Sequence, residues 1–111
     1  MTNIIVDSPV DGQELEVPFT LSGTATAIAP ATNVVAIEVQ IDSAAQHDLG
    51  VVPAPSIPFG YTVTEADCPA VDTWYLLTIY AWDDQGNLDI KTISIKRVDL
   101  DLVDDEIVGL P

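Results

Sequence analysis

The stretch Trp74 to Asn87, WYLLTIYAWDDQGN, restricts the architecture more than any other part of the chain. Successive side chains of an extended strand face opposite ways. Tyr75, Leu77, Ile79 and Ala81 therefore share one side, and Trp74, Leu76, Thr78, Tyr80 and Trp82 share the other. The run ends in Asp83-Asp84-Gln85-Gly86-Asn87, where Gly86 and Asn87 tolerate the positive φ of a tight turn. A second strand-like run, Leu88 to Arg97, follows at once, and the two read as a hairpin.

The rest of the chain repeats this logic. Asn3 to Val6 reads as a short strand stopped by Asp7-Ser8-Pro9 and the turn residues Asp11-Gly12. Pro18 to Thr26 sets Phe19, Leu21, Gly23 and Ala25 against Thr20, Ser22, Thr24 and Thr26. Val34 to Asp42 alternates most cleanly, with Val35, Ile37, Val39 and Ile41 inward and Ala36, Glu38, Gln40 and Asp42 outward. Ser43 to Pro58 is a long crossover whose prolines forbid a central strand, leaving at most a brief edge strand at Val51-Val52. Phe59 to Thr64 resumes with Phe59, Tyr61 and Val63 inward, and Glu65 to Thr73 crosses to the Trp74 strand. The proline spacing and the period of two both oppose a helix of ordinary length.

About seven short strands in a chain of 111 residues predict an all-β fold, an immunoglobulin-like two-sheet β-sandwich with Greek-key connections. One domain is expected, with a core of Phe19, Val35, Ile37, Val39, Leu77, Ile79 and their like. We place it at residues 1–98, followed by an acidic and apolar C-terminal arm at 99–111. Leu100, Leu102, Ile107, Val108 and Leu110 in that arm read either as a last strand with a loose end, or as an arm docking on a neighbouring subunit.

Charge narrows the partners. Eighteen acids, thirteen of them Asp, oppose only Lys91, Lys96 and Arg97, for a net charge of −15. Such a field repels phosphate backbones and anionic lipid, so neither nucleic acid nor membrane insertion is expected. Self-repulsion is quenched where salt shortens the Debye length, or where cations or a basic partner neutralise it. The acid-rich, lysine-poor composition resembles proteins of halophilic organisms. Cys68 stands alone, so no intrachain disulfide forms, and nothing near it in sequence lowers its pKa. MTNIIVDSPVDG has no basic n-region and no long apolar segment, so export by a signal peptide is not expected.

Four short motifs occur in order: Ser8-Pro9-Val10-Asp11-Gly12, Leu21-Ser22-Gly23-Thr24-Ala25, Val39-Gln40-Ile41-Asp42, and Ala81-Trp82-Asp83-Asp84-Gln85-Gly86-Asn87. Together they resemble the bacterial Ig-like domains found as modules in surface proteins, carbohydrate-active enzymes and phage virion proteins. The resemblance covers about residues 4–96. It implies a sandwich that serves as spacer, adhesion module or decoration, and fold alone licenses no activity.

No catalytic constellation is present. The chain lacks Gly-x-Ser-x-Gly, and His47 has no second His or Cys at ligand spacing. Asp83 has a structural job, accepting backbone N–H bonds across its turn. Asp7, Asp11, Asp42, Asp83 and Asp84 are the weak calcium candidates, hard oxygens at the sandwich ends without EF-hand spacing. No cofactor is expected, with calcium or other cations as the alternative. The outward Trp74, Leu76, Tyr80 and Trp82 are the candidate interaction surface, unless the 43–58 crossover covers them.

Two function classes follow. The first is a non-enzymatic structural subunit of a virion surface, a capsid decoration, turret or tail accessory from a virus of a halophilic host, with protein partners or identical subunits in a homo-oligomer. The alternative is an adhesin or carbohydrate-binding accessory module of an extracellular, cell-surface protein.

Overall fold

The computed structural model describes residues 2–99. Among these residues there is no helix; the elements are eight strands. They are β1 (Thr2–Ser8), β2 (Gln13–Leu15), β3 (Phe19–Ala27), β4 (Val34–Ile41), β5 (His47–Asp48), β6 (Ser56–Val63), β7 (Thr73–Asp83) and β8 (Leu88–Arg97). They form a three-stranded sheet, β1-β3-β6, and a five-stranded sheet, β2-β8-β7-β4-β5. All pairings are antiparallel except that of β2 with β8. The chain switches sheets repeatedly, so the core is sealed by residues distant in sequence. The fold is an Ig-like β-sandwich.

Apolar side chains of both inner faces meet between the sheets. Leu21, Ala25, Ile57, Phe59 and Val63 come from one sheet, and Ile37, Val39, Ile41, Leu77, Ile79, Ala81, Ile93 and Ile95 from the other. Leu21, Ile37, Leu77, Ile79 and Ile95 are fully buried, each contributing about 1.5–3 kcal/mol over an exposed position. Phe19 is only half-buried, packed on the rim of this cluster.

Gly23 lies at the centre of β3, opposite Val6 on one side and Phe59 on the other. A Cβ there would stand 2.1 Å from the Ile5 carbonyl oxygen and 2.7 Å from Phe59 Cζ. Only glycine lets β1 and the Phe59 ring approach this closely.

Three expectations need correction. Val35 is not a core residue, because the β4–β7 register shifts between Val34 and Ala36. That irregularity turns Val34 fully inward and leaves Val35 half-exposed. Val51-Val52 forms no strand; the short edge strand is β5, paired with Glu38 and Val39. Finally, β6 starts at Ser56, before Pro58. The proline is accommodated because β6 is the outermost strand of its sheet.

At the other end, Asp83 accepts bonds from the Gln85 and Asn87 backbone N–H groups, both 2.9 Å, and from Asn87 Nδ2 at 3.2 Å. Gly86 takes the positive φ of this turn, whereas Asn87 does not. Both edges of the five-stranded sheet are very short: β2 has three residues and β5 has two.

Candidate interaction face

The outer face of the five-stranded sheet carries the predicted surface. Along β7, Trp74 is 55% exposed and Leu76 43%, whereas Tyr80 and Trp82 are half-buried and Thr78 is buried. The Tyr80 and Trp82 rings stack with centroids 6.1 Å apart and planes 19° apart. Tyr80 Oη donates a 2.6 Å hydrogen bond to Gln40 Oε1 on β4, which fixes the ring's tilt.

Register extends the patch onto β8. Trp82 pairs with Leu88, Tyr80 with Ile90, Thr78 with Thr92, Leu76 with Ser94 and Trp74 with Lys96. Partners in such pairs point to the same side. Leu88 and Ile90, 44% and 55% exposed, thus complete an apolar stripe with the β7 residues. Sequence reasoning missed them, although a signal was present. The apolar residues of β8 fall at 88 and 90 and then at 93 and 95, opposite parities. In a strand without a bulge one pair must face outward.

The 43–58 crossover leaves Trp74, Leu76, Leu88 and Ile90 exposed. Leu49, Val51 and Ala54 turn toward the core, and Ala54 exchanges backbone bonds of 2.8 and 3.2 Å with Val34. The crossover closes the gap between sheet edges instead. There the His47 ring stacks on Tyr61 of β6, with centroids 5.1 Å and planes 29° apart. Its Nε2 lies 3.9 Å from Asp67 Oδ1, while Tyr61 Oη donates to the same carboxylate at 3.1 Å. Burial, then the Asp67 hydrogen bond and charge, push the Tyr61 phenol up to about 12. A phenol that holds its proton so firmly is a staple between the sheets, not an acid or base at neutral pH.

Among the weak calcium candidates, Asp11, Asp42, Asp83 and Asp84 are engaged by backbone N–H groups. Asp11 Oδ1 accepts the Ser94 N–H at 2.7 Å, and Asp42 Oδ1 accepts the Leu76 N–H at 2.7 Å. Asp84 accepts the Thr32 and Asn33 backbone N–H groups at 3.0 and 3.1 Å, and the Thr32 hydroxyl. Asp7 is exposed on β1. Among the described residues no three His, Cys, Asp or Glu side chains come together in a way that could hold a metal ion.

Cys68 is fully buried. Burial, together with the Asp67 and Asp42 charges, pushes its thiol up to about 11, with Arg97 opposing. Arg97 Nη1 donates to the Cys68 carbonyl at 2.7 Å, tying the end of β8 to the β6–β7 crossover. A cleft of about 240 Å³, lined by Val6, Pro9, Val10, Asp11, Lys91, Thr92 and Ile93, lies away from the aromatic stripe. It is smaller than the roughly 300–1,000 Å³ typical of small-molecule sites. The arm residues Leu100, Leu102, Ile107, Val108 and Leu110 lie outside the described residues.

No protein-family model matches the chain. No curated protein matches it either. Solved structures are similar. A region of the endo-β-1,4-mannanase from Thermotoga petrophila superimposes with a TM-score of 0.62 at 14% identity, covering 89% of this chain and 20% of that one. The fibronectin(III)-like modules of Clostridium thermocellum CbhA match with a TM-score of 0.49 at 15% identity, over 89% of this chain and 100% of theirs. The chain thus spans about one fifth of the mannanase it matches. At such identities the likeness is one of fold. The mannanase region shares the Ig-like two-sheet β-sandwich described above.

Proposed function

We propose that this module is a non-enzymatic structural subunit that works by standing against other subunits, and that its assembly is a virion surface. In this reading it is a capsid decoration, turret or tail accessory from a virus of a halophilic host. One observation carries the structural part: Trp74, Leu76, Leu88 and Ile90 lie exposed on one sheet, with half-buried Tyr80 and Trp82 beside the last two. Exposed apolar side chains gathered on one face mark a contact site, and Trp and Tyr are the side chains that most often anchor protein interfaces. The charge of −15 supports the saline part, since dense salt screens it. Light scattering on the chain in about 1 M NaCl, where the Debye length is about 3 Å, tests the reading. An oligomer is expected there. A strict monomer, together with antibodies to the module that fail to label purified particles, overturns it.

The second reading is an adhesin or carbohydrate-binding accessory module at a cell surface. The stacked Tyr80–Trp82 pair favours it, because ring faces held by a scaffold stack on sugars. The shared mannanase fold lends it no substrate. Glycan-array binding that disappears in Trp82→Ala would support this reading over the first.

A further inference from the structure

We propose that the chain's own residues 107–110 extend the smaller sheet by adding to the free flank of β1. β1 pairs with β3 alone. The Ile5 carbonyl is aimed at β3, since its oxygen stands 2.1 Å from where a Cβ of Gly23 would be. Backbone groups of successive residues point to opposite sides of a strand, so those of Ile4 and Val6 point away from β3. The Thr2 N–H agrees with this alternation, leaving the sheet to meet Asp89 Oδ2 of β8 at 2.6 Å. Ile4 and Val6 thus offer two donors and two acceptors to a further strand, and among the described residues no backbone group outside β3 is bonded to them.

This flank is also undefended. β6, on the opposite side of the sheet, carries Pro58, whereas Thr2–Ser8 holds neither Pro nor Lys and leaves Ile5 52% exposed. Open edges of that kind are normally covered by another part of the molecule. Beside Val6 the space between the sheets widens into the cleft that Val10 and Ile93 also line. An added strand points every second side chain into that space, so the cleft supplies the pocket that strand addition uses.

The segment after Asp99 has the reach and the pattern to fill it. β1 and β8 run the same way: Thr2 lies by Asp89, Val6 shares the cleft with Ile93, and Gln13 pairs with Ile95. Val98, bonded to Leu15, is therefore at the far end, and an arm turning back from it meets β1 antiparallel. The return from Val98 to the level of Ile93 is about 17 Å. An extended chain from Asp99 to Val108 covers about 30 Å, which leaves about 13 Å to round the end of β2. Leu100 and Leu102 follow Val98 too closely to reach β1, since four residues span about 13 Å. Val108 then stands beside Val6 and Leu110 beside Ile4, both facing the cleft side, with Ile107 outward and diagonal to Ile5. Asp99, Asp101, Asp104, Asp105 and Glu106 pass the exposed Glu14 of β2 on the way, so salt should strengthen the docking.

Amide exchange measured by NMR on the full chain tests this, with Val108→Asp/Leu110→Asp as the comparison. In about 1 M NaCl, where the Debye length is about 3 Å, the Ile4 and Val6 amides should exchange about tenfold or more slowly in the wild type, at any protein concentration. Nuclear Overhauser contacts should join Val108 to Val6. The protection should shrink in about 0.1 M NaCl. The Leu77 amide, in the core, should exchange alike in both proteins and so reports that the variant is folded. Equal exchange of Ile4 and Val6 in the two proteins overturns the proposal. So does protection that grows with protein concentration, which gives the flank to the arm of a second copy. Light scattering on the same samples reports assembly separately, so this proposal and the self-assembling reading above can each fail without the other.

Discussion

Tyr75 Oη accepts a 2.8 Å hydrogen bond from the backbone N–H of Ala70, five residues upstream of it. The ring is buried at the start of β7, so this bond pins the β6–β7 crossover to the core. The arrangement corresponds to the tyrosine corner of immunoglobulin-type sandwiches. Ala70 itself is exposed, so water can replace the lost partner. Tyr75→Phe should therefore cost only about 1 kcal/mol in urea unfolding, the net worth of an ordinary hydrogen bond. A loss several times larger would mean that the crossover itself detaches.

Gly23→Ala should be far more damaging. Its Cβ meets both the Ile5 carbonyl and the Phe59 ring, and overpacking of this kind costs about 1–3 kcal/mol or more. Phe59→Leu, introduced as a second substitution, removes only the ring contact. Urea midpoints should show at most partial recovery in that double variant, because the β1 backbone cannot withdraw without breaking its pairing with β3.

The Asp84 carboxyl is held below its usual range by the Thr32 hydroxyl, then by the Thr32 and Asn33 backbone N–H groups, against a smaller opposing effect of desolvation. A depressed folded-state pKa adds stability above the unfolded value of about 3.9, and that stability is lost as pH falls through the folded value. The stability gap between wild type and Asp84→Ala should thus be constant from neutral pH down to about 5. Below about 4 it should close. Denaturant midpoints of both proteins across this range check it, and a gap that widens in acid would contradict the assignment.

The Cys68 thiol, buried and pushed up to about 11, should be nearly inert to thiol reagents at pH 8 in the native protein. Labelling should then proceed at the rate of local or global opening and accelerate sharply in denaturant. Immediate labelling of the native state would mean that the β6–β7 crossover is open, and that Arg97 does not anchor it.

How much of this was legible depended on whether local chemistry or a distant partner decided the outcome. The β7–β8 hairpin could be read because alternation, the Asp83 turn and Gly86 all point the same way over a few residues. Val35 misled because the shift beside it comes from pairing with β7, which a local pattern cannot reveal. β2 could not be foreseen. Three residues show no period, and they become a strand only through β8, with the Val98 N–H bonded to the Leu15 carbonyl at 2.9 Å. At the candidate face the aromatics of β7 were visible, but whether the crossover covered them was not. That depended on Leu49 and Val51 turning inward. The His47–Tyr61–Asp67 cluster likewise joins elements that only the fold brings together.

The brevity of β2 and β5 governs what kind of order the molecule can build at high concentration. Strand-by-strand growth needs a long flanking row of unsatisfied amides, and the larger sheet offers three residues on one flank and two on the other. Pro58 likewise withholds an amide from the outer flank of β6. The larger sheet should consequently resist strand-by-strand growth at both flanks, even where brine has removed the repulsion that keeps the molecules apart.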